Sequence, residues 1–198
     1  MSNNLDTREK LLAIAVELFS ASGYKGTSIR DIACVMGMSI STIYHYFGSK
    51  EALFTTILSE AGVRLINSLR EVAVLDMDPL ERLELLIRTH LRQCTGTVKE
   101  ARIFFTDEEH IPSEATKINN QIQRQILDLY RTELQRIQAT GRVRYSSMTV
   151  LALNILGVIN WYLLWFRPGG PLSVDQIIEE IVTFIMHGVL APFCREKT

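Results

Sequence analysis

The sequence predicts an all-α fold of about nine helices, with an N-terminal three-helix domain followed by a larger C-terminal helical domain. Apolar residues recur at spacings of three and four along nearly the whole chain, which is the periodicity of helices that bury one face. No run alternates in the manner of a half-buried strand. The hydrophobic fraction of 47% and the charged fraction of 22% are those of an ordinary globular protein. The expected domains are residues 1–50 and 51–198.

The first three helices are separated by glycines and hydroxyl residues. The first ends near Gly23, and one of its faces carries the mostly apolar residues Leu11, Ile14, Ala15, Leu18 and Ser22. Thr27 is expected to cap the second helix, which ends at Gly37 and whose core residues are Ile29, Ile32, Ala33 and Met36. Ser39 is expected to cap a third helix, which stops at Gly48.

Six longer helices are expected after the third, with boundaries suggested by capping residues, prolines and glycines. Their expected positions are Lys50 to about Val74, a helix opened by Asp78-Pro79, Lys99–His110, Pro112 to Gly141, about Ser146 to Trp165, and a last helix that Ser173 caps and that runs to Gly188 or beyond.

Several classes of function are disfavoured. No GxSxG, P-loop, HExxH or dinucleotide fingerprint occurs, so we expect neither an enzyme nor a bound cofactor. Asp107–His110 holds metal-ligating residue types, but four consecutive side chains on one helix diverge, so we expect no metal site. The N-terminus lacks an apolar signal region, and Cys34, Cys94 and Cys194 show no paired spacing, which indicates reduced thiols in a cytoplasmic protein.

The segment from Met148 to Phe166 is about long enough to span a bilayer. Asn154 and Asn160 interrupt it, and a helix that is apolar on all sides can equally be buried in a core or an interface. We therefore expect a buried helix and no membrane association.

Two short helices joined by a turn at Gly37 have the proportions of a helix-turn-helix, whose second helix lies in the major groove of DNA. Residues on the outer face of that helix suit this position: the small hydroxyl donors Ser39, Ser41 and Thr42, and the polar rings Tyr44, His45 and Tyr46. Lys50 lies in the first turn of the next helix, where free amides and the helix dipole favour a phosphate. Because the net charge is only −1, DNA binding would rest on this local surface.

The run from Thr27, TSIRDIACVMGMSISTIYHYFGSKEALF, resembles the signature of the tetracycline-repressor (TetR) family of transcription regulators. The residues that carry the resemblance are Ile32-Ala33, Gly37-Met38, Ser39, Ile43-Tyr44, Tyr46-Phe47, Lys50-Glu51 and Leu53, with Ala15, Leu18, Phe19 and Gly23-Tyr24 upstream.

This resemblance implies phosphate contacts by Thr27, Ser28, Tyr44 and Lys50, and base contacts by Ser39, Ile40, Ser41 and His45. It also places Arg30 within reach of the groove, where an arginine can bond guanine through two hydrogen bonds. Two interpretations of Ile40 stay open. Its spacing with neighbouring apolar residues fits a core position, whereas the resemblance places it against a thymine methyl.

The same resemblance implies that residues 51–198 form a ligand-binding body and that the last two helices pair across a two-fold axis. The apolar residues expected at this homodimer interface are Leu151, Ile155, Val158, Ile177, Ile181, Phe184 and Ile185. Such a dimer would place its recognition helices about 34 Å apart and would bind a palindromic operator.

Aromatic and basic side chains of the C-terminal domain predict a site for a small hydrophobic effector. The candidate ligand-binding residues are Arg102, Phe105, Tyr130, Trp161, Trp165 and Arg167. The alternative is that the aromatic residues only pack the core. The segment NWYLLWFRPGGPLSVDQI resembles TetR-like regulators of fatty-acid and steroid breakdown, which sense acyl-CoA thioesters; in that case Arg167 or Arg102 pairs with a CoA phosphate.

The expected function is therefore a ligand-responsive repressor that binds double-stranded operator DNA as a homodimer. Two alternatives remain at this stage: an architectural DNA-binding protein that senses no ligand, and a ligand-dependent activator.

Overall fold

The computed structural model describes residues 2–96, 99, 111–167 and 169–190, with side chains from residue 6 onward. Its helices are α1 (Ser2–Gly26), α2 (Ile29–Met36), α3 (Ile40–Phe47), α4 (Lys50–Ala73), α5 (Pro79–Gly96), α6 (Ser113–Ala139), α7 (Met148–Trp165) and α8 (Val174–Leu190). These eight helices confirm the all-α prediction, and no strand occurs among the described residues. The predicted helix Lys99–His110 falls almost entirely outside them.

The start of α2 differs from the prediction by one residue. Ser28, not Thr27, is the N-cap, because its hydroxyl accepts the Asp31 N–H at 3.1 Å while the Asp31 carboxylate accepts the Ser28 N–H at 2.8 Å. The Thr27 hydroxyl instead donates to the carbonyl oxygens of Leu18 and Gly23, at 3.1 and 3.0 Å. Gly23 is non-helical as expected, although helical structure continues beyond it to Gly26.

The chain divides into two compact units: unit 1, Met1–Val63 with Thr97–Gln121, and unit 2, Arg64–Gly96 with Ile122–Thr198. The core of unit 1 is formed by all four helices from α1 through α4. Its buried residues include Leu11, Phe19, Ile32, Ile43 and Phe54. The start of α6 also contributes, because Ala115 is fully buried in this core and Ile111 packs against it. The division of function at residue 50 stays a prediction.

In unit 2, α5 packs against α7 and α8, which pack against each other. A buried ion pair joins α5 to α6: Arg82 donates to the two Glu133 carboxylate oxygens, at 3.0 and 2.9 Å. Arg82 Nη1 also donates to the carbonyl oxygens of Leu75 and Met77, at 2.7 and 3.1 Å. The guanidinium therefore fixes the connection between α4 and α5.

Helix α7 passes the length and hydropathy test for a membrane span, with 18 residues and a mean hydropathy of 1.6; it is the one described helix that does. Only 44% of it is buried within the chain. Leu151 and Ile155 on α7 and Ile185 on α8, which were predicted at a dimer interface, are buried inside the protomer.

Candidate nucleic-acid interface and core polar groups

The turn between α2 and α3 is held by the backbone of Gly37. Gly37 adopts left-handed torsions, φ 63° and ψ 32°, which glycine reaches without the steric penalty of a side chain. Its N–H donates to the Cys34 carbonyl at 3.2 Å, and the Met38 N–H donates to the Ala33 carbonyl at 3.0 Å. Two carbonyls in the last turn of α2 are thereby satisfied, and the chain enters α3 after three residues.

Three hydroxyl groups cluster at the start of α3. Ser39 Oγ accepts the Thr42 N–H at 3.2 Å, which confirms Ser39 as the N-cap. It also lies 2.8 Å from both Ser41 Oγ and Thr42 Oγ1. Ser39 and Ser41 are exposed, whereas Thr42 is half-buried. This end of α3 therefore presents small polar groups beside free backbone amides.

The outer face of α3 carries the predicted base-reading residues. Ile43 is fully buried and anchors the helix, whereas Ile40 is 37% and Tyr44 47% exposed, and His45 is also exposed. The exposure of Ile40 excludes its interpretation as a core residue. Tyr46 and Phe47 are half-buried and pack against the core of unit 1.

The two hydroxyls before α2 are less available than the sequence suggested. Thr27 is buried with both hydroxyl contacts directed to α1, and the Ser28 hydroxyl donates to the Asp31 carboxylate at 2.7 Å. These bonds lower the pKa of Asp31, so the carboxylate stays ionised. A side-chain contact from Thr27 or Ser28 to phosphate would require these hydrogen bonds to break. Arg30 is exposed.

Lys50 begins α4 and lies over an aromatic ring. Its ammonium nitrogen is 4.2 Å from the centre of the Tyr24 ring, which itself packs edge-on against Phe54 at 4.8 Å and stacks on Phe19 at 6.0 Å. Burial and the nearby Glu51 charge raise the pKa of Tyr24, so the ring stays uncharged. Sequence reasoning missed this contact, because Tyr24 and Lys50 are far apart in the chain and no local pattern pairs them.

Besides the buried ion pair that joins α5 to α6, uncharged polar side chains form hydrogen-bonded pairs in the described part of unit 2. Tyr130, a predicted ligand residue, is fully buried; its oxygen lies 3.1 Å from His90 Nδ1, and its hydroxyl is 3.4 Å from the Leu86 carbonyl. The Thr95 and Tyr162 hydroxyls are 2.8 Å apart. Burial lowers the pKa of His90 to about 4, so the ring is neutral near pH 7.

Cys94 lies on α5, as His90 does. Burial raises the pKa of its thiol to about 12, so the thiol stays protonated. Cys94 and Cys34 are free cysteines, and Cys194 lies outside the described residues.

Of the other predicted ligand residues, the described ones, Trp161, Trp165 and Arg167, do not gather around Tyr130. Trp161 and Trp165 are exposed on α7, and Arg167 Nη1 donates to the Leu164 and Phe166 carbonyls, at 3.0 and 2.9 Å. Trp165 and Arg167 line an open groove of about 460 Å³ that is bordered by α7, the loop before α8 and α8 itself. Arg102 and Phe105 lie outside the described residues.

A second groove, of about 480 Å³, lies between α7 and α8. Val158 and Phe184 line both grooves, which therefore adjoin each other on one apolar face. Within the described part of the chain, no group of three or more metal-ligating side chains converges. The acidic run Asp107–His110 falls outside that part.

Comparison with known proteins covers almost the whole chain. Residues 11–57 match the family described as bacterial regulatory proteins, tetR family, and residues 76–189 match the tetracyclin repressor-like C-terminal domain. The chain is 27% identical over 187 residues to the HTH-type transcriptional repressor KstR2 of Rhodococcus jostii. The aligned region spans 93% of this chain and 92% of that repressor.

Two solved structures share the fold at 25% sequence identity. The TetR family regulator PfmR from Thermus thermophilus has a TM-score of 0.82 and covers 89% of this chain and 97% of its own. AibR, solved in complex with isovaleryl coenzyme A and operator DNA, has a TM-score of 0.80 and covers 94% of this chain and 100% of its own.

Proposed function

This chain belongs to the TetR family of bacterial regulatory proteins, and from that premise we propose that it represses transcription as an operator-binding homodimer, which a small hydrophobic effector releases from DNA. The observation that carries the proposal is the geometry of α3. One buried residue, Ile43, anchors this helix, while its capped start and its outer face remain exposed.

On DNA, α3 lies in the major groove with Ser39, Ile40, Ser41 and His45 towards the base edges. Tyr44 and Lys50 contact phosphates on the flanking strand, and Arg30 approaches the groove from α2. Thr42 supports the Ser39 hydroxyl at 2.8 Å. Thr27 and Ser28 are left out of this set of side-chain contacts, because their hydroxyls already donate within the protein. AibR, which shares the fold, was solved with operator DNA, and this supports DNA binding by the present chain.

The homodimer forms through the apolar face of α7 and α8. Large apolar side chains on this face are open to water in the single chain, with Trp161 64% and Phe184 68% exposed. Further exposed members of the α7 face are Val150, Leu153, Leu164 and Trp165. A contiguous apolar face of this kind marks an interaction surface. A second copy of the same face, related by a two-fold axis, covers both grooves and completes a four-helix bundle.

The effector binds in the core of unit 2 beside Tyr130. Buried polar groups in an apolar core lower stability unless they are paired, and here the paired hydroxyls are able to exchange partners with a ligand carbonyl. An acyl-CoA thioester offers an apolar chain and a carbonyl oxygen, and AibR was solved with such a molecule. Arg102 and Phe105 remain predicted ligand residues. Trp161 and Trp165 are assigned to the dimer face, and Arg167 borders it.

The protein acts in the cytoplasm, and it is neither an enzyme nor a membrane protein. The relatives in its family are transcription regulators, which supports a regulatory rather than a catalytic role. The apolar length of α7 is explained by its position between the core of unit 2 and the dimer face.

Selection from a random duplex library by the purified protein tests the proposal. A palindromic sequence should be enriched, and an acyl-CoA that raises the melting temperature of the protein should release that sequence. An architectural protein would bind DNA equally well with and without acyl-CoAs. A ligand-dependent activator would bind DNA more tightly when the acyl-CoA is present. Enrichment of no duplex, with or without acyl-CoAs, would refute the proposal.

A further inference from the structure

We propose that Arg8 is a positioning residue, which fixes the angle between α3 and α4 and thereby sets the recognition helix for the operator. The proposal rests on the DNA-binding function proposed above. It assigns a role in operator recognition to a side chain that does not itself touch DNA.

Arg8 lies on α1 and contacts two other helices of unit 1 at once. Its Nη2 donates to Glu60 Oε1 of α4 at 2.6 Å, and its guanidinium carbon lies 5.5 Å from the centre of the Phe47 ring, at the end of α3. Arg8 and Glu60 are each somewhat more than one third exposed. One cation therefore joins α1, the last residue of the recognition helix and the middle of α4.

The connection between α3 and α4 needs such a second attachment. Only Gly48 and Ser49 separate the two helices, and Gly48 has a positive φ of 75°, a conformation that glycine adopts with little penalty. A single short joint of this kind holds the helix ends together but leaves the angle between them to side-chain packing. Glu60 is ten residues beyond Lys50, about 15 Å along α4 from the joint, so a contact at this distance resists rotation.

Arginine suits this position because its guanidinium is planar. A planar guanidinium is able to lie near an aromatic ring and donate to a carboxylate at the same time, which the compact ammonium of lysine does less well. Phe47 in turn packs against the core of unit 1. The end of α3 is therefore held from the core side by packing and from the α1 side by Arg8.

The experiment compares Arg8→Met with Glu60→Gln, and uses Lys10→Met as the matched control. Lys10 is also a cation of α1 that pairs with a carboxylate, Asp6, but this pair is exposed and lies within one helix. Arg8→Met keeps much of the aliphatic stem and removes the charge. Binding to the selected operator and to an unrelated duplex is measured by fluorescence anisotropy over a series of salt concentrations.

Arg8→Met should weaken operator binding by about tenfold, the scale of one cation–π contact and one partly exposed ion pair combined. Binding to the unrelated duplex and the salt slope should stay unchanged, because no phosphate contact is lost. Glu60→Gln should weaken operator binding by less than Arg8→Met does. The double variant should bind the operator no more weakly than Arg8→Met alone, and Arg8→Lys should bind it with an affinity between those of Arg8→Met and the wild type. Lys10→Met should behave as the wild type.

Hydrogen exchange in the DNA-free protein gives a readout that does not depend on operator binding. The amides of α3 should exchange faster in Arg8→Met while those of α2 stay unchanged. The proposal is overturned if the salt slope falls by about one, which would make Arg8 a phosphate contact. An equal loss on both duplexes, or unchanged α3 exchange, also overturns it. A wild-type protein that binds no duplex refutes the proposed function, and the exchange result then still decides the role of Arg8.

Discussion

The ammonium group of Lys50 lies over the face of the Tyr24 ring, with 4.2 Å between the nitrogen and the ring centre. A cation in this position is attracted by the negative face of the ring, which contributes about 0.5–1 kcal/mol at an exposed site. Tyr24 belongs to α1 and Lys50 opens α4, so the contact fixes the charge that we propose binds phosphate against the core of unit 1.

Lys50→Ala should weaken binding to all duplexes and reduce the slope of log affinity against log salt by about one, because one phosphate contact is lost. Tyr24→Leu should lower affinity less and keep the slope, since the charge remains but is less well positioned. Lys117→Ala, which removes an exposed cation of α6, is the control. A Lys50→Ala variant with an unchanged salt slope would contradict the assignment.

Ile40 should read the methyl group of a thymine in the operator. Replacement of that thymine by uracil removes only the methyl, and the wild type should lose about fourfold in affinity, the value of one buried methyl group. Ile40→Ala should bind more weakly but show no further loss with uracil. Val35→Ala, at an exposed aliphatic position on α2, should keep the wild-type response. Equal uracil effects in wild type and Ile40→Ala would argue against this contact.

Gly157→Glu should dissociate the dimer without unfolding the protomer. Apart from its chain neighbours and the local backbone of its own helix, a Cβ added at Gly157 meets no atom within 4 Å, and the residue lies in the middle of the exposed face of α7. An unpaired carboxylate at a buried interface costs several kcal/mol, so the dimer dissociation constant should rise by at least about a hundredfold. Sedimentation measures the dimer dissociation constant, and Gln135→Glu, at an exposed position of α6, is the control. A Gly157→Glu dimer as tight as the wild type would place the interface elsewhere.

The stability of the protein should fall as the pH drops from 6.5 towards 4. The unfolded chain protonates His90 below pH 6.5, whereas the folded chain keeps the ring neutral down to about pH 4. Over this window the free energy of unfolding should decrease by up to about 1.4 kcal/mol per pH unit. Urea unfolding of His90→Gln should lack this component, and His187→Gln, at an exposed histidine, should retain it. Parallel pH profiles for wild type and His90→Gln would show that His90 is not the source.

Glu133→Leu should destabilise unit 2 by about 3–5 kcal/mol, because it leaves the buried Arg82 charge without its partner. The double variant Arg82→Met with Glu133→Leu should be less destabilised than Glu133→Leu alone, since no uncompensated charge remains. Urea unfolding measures the free energy of unfolding of both single variants and of the double variant. If the loss in the double variant equals the sum of the losses in Arg82→Met and Glu133→Leu, the two residues act independently.

Local signals in the sequence predicted the helix-turn-helix well. The end of α2 at Gly37 and the cap of α3 at Ser39 depend on one residue each, so they are readable without the tertiary structure. The cap of α2 was wrong by one residue, although Asp31 three positions after Ser28 is the pattern of a capping box. The periodicity of Ile40 with the core residues was misleading, because the first turn of α3 projects beyond the core.

Contacts between distant residues explain what the sequence did not predict. Nothing local pairs Tyr24 with Lys50 or Arg8 with Glu60, since both contacts require the packed unit 1. The aromatic residues of α7 were predicted to line an effector site, with core packing as the alternative, because periodicity does not distinguish a face covered by the same chain from one that a second copy covers. In the structure, Tyr162 is buried within the chain, whereas its neighbour Trp161 is exposed.

The full burial of Ala115 in the core of unit 1 limits how this protein can be recombined. A chimera that takes only the N-terminal helices would omit Ala115 and Ile111 and leave their places in that core empty. Exchange of operator specificity between relatives therefore requires either point changes on α3 or a graft that also carries the first turns of α6. The same constraint applies to natural recombination, in which a crossover just after α4 would separate two segments that fold as one body.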